Sequence, residues 1–414
     1  MVEAALIGAG NRGNDIYGAY ALEHPEEIRF VAVAEPDLER RDRFAKLHWL
    51  SPERQFLSWQ ELLAKPKFCD WMFICSQDRA HYEPTMMALG KGYQILLEKP
   101  MAADVKECIA IVKEVQKNKG SLTVAHVLRY TPFFSKIKEL LNSGKIGSMI
   151  EIHLNENVGY WHYTHSYVRG NWANADRATP MILAKSCHDL DLILWLSGKK
   201  PVRLASFGSL QFFKRENAPA ESAARCLECK IKYECPYSAV KQYLGPNTNW
   251  PVNVISCDLS MEGRIKALKE GPYGRCVFRC DNNVVDHQVV NMELEGGTTA
   301  NFTMSGFTQD LSRRIKIMGT LGVIEGSLES NQLEIHDFSN GSREIIYLPQ
   351  SPGRHSGGDC GLMDYLVKQS ADCTIKGLTS AEVSLMSHIM AFAAEESRLT
   401  GKVMEIDEFF HKNQ

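Results

Sequence analysis

The chain has 414 residues, more than one ordinary core accommodates, which predicts two domains. Apolar residues make up 44%, charged residues 23%, and the net charge is -3; this balance argues against nucleic acid or an anionic membrane as partner. No apolar run approaches the roughly 20 residues of a bilayer span. The start runs straight into a strand without a basic stretch, apolar core and cleavage site, so a cytoplasmic location is expected.

The first 125 residues alternate short apolar runs with amphipathic stretches. Strands are predicted at Ala4 to Ile7, Arg29 to Ala34, Trp71 to Cys75, Gln94 to Leu97 and Leu122 to Ala125. Helices are predicted near Asp15 to Glu23, Leu38 to Leu47, His81 to Gly90 and Asp104 to Asn118, the last stopped by Lys119-Gly120. This alternation predicts a doubly wound parallel sheet over residues 1–125. The remainder, 126–414, brings strands in succession: Met149 to Val158, Val202 to Phe213, Val284 to Glu295, Thr298 to Met304, Arg314 to Met318, Val323 to Ser327 and Leu333 to Asp337. A mostly antiparallel α+β domain with helices on one face is expected. Pro180 to Leu196 reads as one helix, and Gly361 to Gly401 as a helical tail packing back on the body. Residues 214–274 break the strand rhythm and read as an insertion.

Gly8-Ala9-Gly10-Asn11-Arg12-Gly13 follows a strand and opens a helix. In G-x-G-x-x-G one glycine makes the turn, the next admits a pyrophosphate, and the third lets helix and strand pack, while the helix N-terminus offers free N–H groups to phosphate. Glu35 ends the second strand, where a carboxylate accepts both adenosine ribose hydroxyls and repels a 2′-phosphate. NAD is the expected cofactor; Arg40 and Arg41 keep NADP open, and a flavin-binding or structural Rossmann turn is the bland alternative. Glu98-Lys99-Pro100 ends a buried strand, where open α/β sheets bind ligands. Lys99 there reaches either a nicotinamide ribose and substrate, or only solvent.

These pieces, with Ala34-Glu35-Pro36-Asp37, Cys187-His188-Asp189-Leu190-Asp191 and Met318-Gly319-Thr320-Leu321-Gly322, resemble the Gfo/Idh/MocA oxidoreductases in order and spacing, across nearly the whole chain except the insertion. The resemblance implies a Rossmann domain followed by an open antiparallel sheet that carries the substrate face and often the oligomer interface, hence a homo-oligomer. It also implies that Glu98 and Lys99 sit at the nicotinamide ribose, that Ser76, Gln77 and His81 touch the cofactor, and that Arg129 lies near the nicotinamide.

His188 is the expected proton acceptor, because hydride leaves a carbinol carbon only as its hydroxyl proton is removed. In one continuous helix Lys185, His188 and Asp191 share a face, and Lys99 would stabilise the alkoxide. A structural His–Asp pair is the alternative. Many family members carry an acid about one turn before this histidine; Ala184 and Lys185 stand there instead. A second cation near the pocket would depress the pKa of His188 or Lys99, or bind a substrate oxygen.

The stretch from Gly159 to Trp172 supplies candidate carbohydrate contacts in Tyr160, His162, His165, Tyr167, Arg169 and Trp172, aromatic faces for sugar rings and polar groups for hydroxyls; an interface or lid is the rival reading. His355 and Asp359 are rim candidates, with a surface loop as the alternative. Cys69, Cys75, Cys108, Cys187, Cys360 and Cys373 read as reduced thiols. Cys226, Cys229 and Cys235, with Cys257, Cys276 or Cys280 as fourth ligand and Cys276 preferred, read as a structural zinc site or as buried thiols.

The expected function is NAD-dependent oxidation of a secondary alcohol of a sugar, inositol or glycoside. The alternatives are a glycosidase or lyase that oxidises transiently and recycles its cofactor, and a nucleotide-sensing regulator.

Overall fold

The computed structural model describes residues 1–350, 355–372 and 377–414; Cys373 lies outside them. Six parallel strands form the first sheet: β1 (Val2–Ile7), β2 (Ile28–Ala34), β3 (Gln55–Phe56), β4 (Trp71–Ile74), β5 (Gln94–Leu97) and β6 (Leu122–Val124), in the order β3-β2-β1-β4-β5-β6. Beyond Glu3 and Gln94 near their first residues, the central strands β1, β4 and β5 are apolar and buried on both faces, as a sheet sandwiched by helices requires. Side-chain caps set the helix starts: Asp37 accepts from Arg40 N at the head of Leu38–Leu47, and Asp104 from Lys106 N at the head of Val105–Asn118. Lys119 ends the latter in a left-handed conformation. The two-residue strand β3 and the helix Trp59–Ala64 were not legible as separate elements, because neither is long enough to show a period.

Nine strands form the second sheet: β7 (Met149–Asn157), β8 (Pro201–Ser209), β9 (His287–Leu294), β10 (Thr299–Ser305), β11 (Ser312–Gly319), β12 (Gly322–Ser327), β13 (Gln332–Asp337), β14 (Arg343–Tyr347) and β15 (Met404–Glu405). Their order is β14-β13-β12-β11-β7-β10-β9-β8-β15, antiparallel except for the β10·β7 pair. Alternate residues of β7, β9 and β10 point into the core. The helix Ala381–Thr400 packs on β8 and on the helices Cys187–Ser197 and Val105–Asn118. It thereby joins the cores beneath the two sheets. No helix among the described residues is long and apolar enough to cross a membrane.

Two expectations change. The helix expected over Pro180 to Leu196 is two helices, Met181–Ala184 and Cys187–Ser197, parted at Lys185 and Ser186. The strand expected to run to Phe213 stops at Ser209, and the chain then enters the insertion. There, short turns and helices surround a small core of Cys226, Ala239, Tyr243, Val252 and Leu268.

Candidate functional site

The glycine loop follows β1. Gly8 has φ +93°, and a Cβ there would stand 2.7 Å from the Cys75 carbonyl carbon. A Cβ on Gly13 would meet the Gly8 oxygen at 2.1 Å, whereas one on Gly10 would meet nothing within 4 Å. The first and third glycines are thus demanded by packing, while the second keeps an open approach over the loop, the division of roles that dinucleotide binding needs. Asn11 begins the helix behind it, bonded to Asp15 Oδ2 at 2.9 Å. Glu35, at the tip of β2, accepts from Ala9 N at 2.7 Å and Asp37 N at 3.0 Å. Arg41 is buried and donates to the Glu35 carbonyl at 2.7 Å, while Arg40 is exposed.

The side chain of Arg12 turns away from the loop. Its Nε bonds Glu98 Oε1 at 2.6 Å, and its Nη2 bonds Tyr17 Oη and Asp359 Oδ1, each at 2.8 Å. Burial pushes the Glu98 carboxyl up, but the Arg12 guanidinium and Tyr17 hydroxyl win and hold it below the usual range. Asp359 is held down by Arg12 and His355 against the same cost of burial. Glu98, expected at a ribose, is consumed by this internal pairing. Asp359, expected at a flexible rim, is a buried anchor, 2% exposed, because a buried guanidinium demands counter-charge. His81 is also a correction: it is buried with Nδ1 2.7 Å from Pro100 O and Nε2 3.0 Å from Ser76 O, and it braces the Lys99–Pro100 turn. Ser76 Oγ closes on Ala80 O, and Gln77 stays exposed beyond β4.

Lys99 crosses between the two sheets, its Nζ donating to Ala184 O at 2.6 Å. That carbonyl is free because Met181–Ala184 ends there. His188, in the first turn of the next helix, is 4% exposed, and its Nδ1 has no hydrogen-bond partner. Its ring lies 5.5 Å from His126 and 6.3 Å from His355. Burial first, then the charge of Lys99, pushes its pKa well down, so the imidazole is neutral at pH 7.

The expected stripe of Lys185, His188 and Asp191 is not formed as one unit. Asp191 accepts from Nε and Nη2 of Arg129 at 2.6 Å each. Arg129 therefore anchors the Cys187–Ser197 helix and is not free for a nicotinamide. Lys185 pairs with Glu156 Oε1 at 3.0 Å; Arg313 spans Glu156 Oε2 and Asp189 Oδ1, both at 2.7 Å. Two cations and two carboxylates cancel. The acid absent from the helix comes from β7 instead, and the cation acting on His188 is Lys99. Burial raises the Asp189 carboxyl, and Arg313 opposes it.

Sequence reasoning missed Glu156, Arg313 and His126. The first two carried a signal: each is a charge at an inward position of a strand whose neighbouring inward residues (Ile152 and Leu154, Ile315 and Ile317) are apolar, and the register places them opposite each other. His126, with neither ring nitrogen hydrogen-bonded, had none.

The aromatic segment is a helix, Tyr160–Tyr163 continuing as a π-helix through Thr164–Arg169, and its faces diverge. His162 lies beside Lys185 and His355; burial first, then the charge of Lys185, pushes its pKa well down and keeps it neutral. The Tyr167 ring lies 6.0 Å from that of His162 and 6.4 Å from that of Trp172. Trp172 Nε1 bonds Asp78 of the first domain at 3.1 Å. The other three turn into the insertion. Tyr160 meets Tyr237; His165 bonds Tyr243 Oη at 2.9 Å and stacks on Tyr273; Arg169 is 1% exposed. For these the interface reading replaces the substrate one, because one helix cannot turn every residue to one cleft. His355 stands at the cleft edge, its Nδ1 2.9 Å from Asp359 Oδ2. Cys226, Cys229, Cys235 and Cys276 line one small cavity inside the insertion. Every described cysteine is free; Cys69, Cys108 and Cys187 are buried, and Cys75 and Cys360 half-buried.

Comparison with known proteins agrees with this architecture. Residues 2–126 match the NAD-binding Rossmann domain of the GFO_IDH_MocA oxidoreductase family, and residues 138–404 match its C-terminal alpha/beta domain. The bovine trans-1,2-dihydrobenzene-1,2-diol dehydrogenase is 25% identical over 399 residues, 95% of each chain. Inositol 2-dehydrogenase 2 of Saccharopolyspora erythraea is 27% identical over 135 residues, 32% of this chain and 36% of that protein. An Agrobacterium radiobacter oxidoreductase solved with NAD+, L-tartaric acid and magnesium superposes with a TM-score of 0.71 at 17% identity, covering 98% of this chain and 99% of that one. With both family domains matched in sequence order, on a glycine loop and a His188 cleft of the matching fold, this chain is a member of the Gfo/Idh/MocA family of NAD-binding oxidoreductases.

Proposed function

We propose that the protein oxidises a secondary alcohol of a sugar, inositol or glycoside with NAD, His188 acting as the base. The observation that carries this reading is the state of His188. Around it Lys185, Asp189, Asp191, Glu98 and Arg12 all have charged partners, while the His188 imidazole is neutral and its Nδ1 unpartnered. Bound at the Gly8–Gly13 loop, NAD+ supplies the hydride acceptor. His188 takes the hydroxyl proton and becomes imidazolium. Lys99 stabilises the oxygen as negative charge builds on it, its present acceptor being only a carbonyl that a substrate oxygen can replace. His162, Tyr167 and Trp172 supply the wall that holds the ring, and His355 the edge. The preference for NAD over NADP is supported by Glu35 at the end of β2, where a carboxylate would accept the ribose hydroxyls, and by Arg41 being spent on backbone carbonyls. A polyol substrate is in keeping with the inositol and dihydrodiol activities named for relatives. The outer face of the nine-stranded sheet, which presents His153, Asn291 and Asn301, is the surface for self-association.

A second reading rests on His162, a second neutral imidazole at the same cleft with an unpartnered Nδ1. Two bases would serve transient oxidation at one carbon, loss of the neighbouring C–H proton and a glycosidic leaving group, addition of water to the resulting enone, then return of the hydride. Incubation with NAD+ and a panel of sugars, inositols and aryl glycosides separates the two readings. NADH without aglycone supports the dehydrogenase, aglycone without NADH the glycosidase, and neither across a broad panel overturns both.

A further inference from the structure

The insertion brings four sulfurs to one place from distant pieces of chain. Cys226 and Cys229 flank the turn Cys226–Glu228, and Cys235 follows six residues on. Cys276 arrives from the far end, held by the antiparallel bridge Arg225↔Arg275 and by its N–H donating to Ala224 O at 2.9 Å. All four line a cavity of about 20 Å³, shared with Arg169, Tyr237 and Phe278. Cys226, Cys229 and Cys276 are at most 8% exposed.

A second, independent observation is Arg169. It is 1% exposed and has no carboxylate partner among the described residues. Its Nε donates to Arg275 O at 2.8 Å, and its Nη2 to Tyr237 O at 2.6 Å and to Cys226 Sγ at 3.6 Å; its Nη1 has no partner. A guanidinium buried among carbonyls, thiols and the Tyr243 hydroxyl, with no carboxylate against it, is left uncompensated, at a cost of several kcal/mol. Negative charge belongs in this cavity.

We infer that Cys226, Cys229, Cys235 and Cys276 hold one zinc ion as four thiolates, with Arg169 as the counter-charge to the anionic site. Binding exchanges four S–H bonds for four Zn–S bonds and releases four protons, with no change of oxidation state. The resulting site carries two negative charges, one of which Arg169 offsets. Four cysteines lining one cavity supply the complete donor set of a closed structural zinc site. The all-sulfur donor set selects a soft or borderline cation. No three of the sulfurs fall within 4.8 Å of one another among the described residues, whereas tetrahedral zinc spaces them about 3.8 Å apart. Binding must therefore draw the turns inward. Of the other two candidates, Cys257 is exposed and interacts with Glu39, and Cys280 turns to the Cys276 carbonyl at 3.3 Å. The site is closed and structural. It pins the insertion, whose own core is small, against the back of the helix that presents His162 and Tyr167 to the cleft.

The test is elemental analysis of the full-length protein, purified without chelator and supplied with zinc. About one tightly held zinc per chain is expected, released when a mercurial reagent blocks the thiols. Cys276→Ser should lose it and Cys257→Ser should keep it. If Cys276→Ser does not fold, cobalt exchanged into the wild-type chain gives the same answer, because four thiolates impose sulfur-to-metal charge-transfer bands and tetrahedral d–d bands. Arg169→Gln should weaken zinc binding by about tenfold or more. Absence of metal with all four thiols titratable, a disulfide among them, iron with acid-labile sulfide, or zinc retained in Cys276→Ser would each overturn the assignment.

Discussion

Arg313 on β11 and Glu156 on β7 stand directly opposite each other in the antiparallel pair, with their charged groups 2.7 Å apart. Each also holds a residue of the segment that carries His188: Glu156 holds Lys185, and Arg313 holds Asp189. The second sheet thus positions the base through two ion pairs, one at the break between the helices and one in the first turn beyond it.

Removing one member of this network leaves its partners buried and uncompensated. Glu156→Gln should destabilise the protein by about 3–5 kcal/mol, read as a fall in the chemical denaturation midpoint. Its effect on any residual turnover should exceed that of an exposed control such as Glu329→Gln. A midpoint within error of wild type would show that the pairs contribute nothing.

His188→Ala should lower kcat by about 100-fold or more while the dissociation constant for NAD, measured by calorimetry, stays near that of the native chain. The separation is expected because the glycine loop and Glu35 lie on β1 and β2, whereas the imidazole belongs to the other domain. Turnover at the native rate would remove His188 from the chemistry.

The acid limb of the rate profile should sit below the ordinary histidine value, since burial and then Lys99 disfavour the imidazolium of His188. Only the neutral ring accepts a proton, so activity persists as pH falls below 6.5 and is lost once His188 protonates. Lys99→Met removes one of the opposing charges and should move that limb upward in pH as well as lowering kcat. An acid limb that does not move would separate Lys99 from the base.

Stability should follow pH in the same direction. His48 is pushed down to about 4, and His165 and His388 to about 3, in each case mainly by burial. Between 6.5 and those values the unfolded chain binds protons that the folded chain refuses. Their stabilising contribution is complete above pH 6.5 and shrinks as pH falls, at about 1.4 kcal/mol per unit for each fully discriminating group. Thermal melting between pH 7 and 4 should show a decline beginning near 6.5. A melting temperature flat to pH 4.5 would contradict the burial of these rings.

Glu35→Ala should raise the ratio of NADP to NAD turnover by about tenfold, the worth of losing a charged acceptor for the ribose hydroxyls. With Arg41 held by the Glu35 and Pro36 carbonyls, Arg40 is the cation left to meet a 2′-phosphate. Unchanged discrimination between the dinucleotides would place the specificity elsewhere.

What the sequence determined by itself was local in origin. The parallel sheet, the glycine turn and its open middle position, the helix stops and the succession of later strands all follow from periodicity and backbone preference within a few residues. The pairing of buried charges was decided only by the tertiary structure. Lys185 and Asp191 are three residues either side of His188, yet their partners, Glu156 and Arg129, come from elements far off in the chain. A helix break at Lys185 and Ser186, inside a run whose apolar spacing is unbroken, sends them apart. Glu98, Asp359 and Arg12 converge across more than 340 residues of chain for the same reason. A charge taken out of water binds whichever opposite charge the fold brings within reach, and no spacing rule along one segment contains that information.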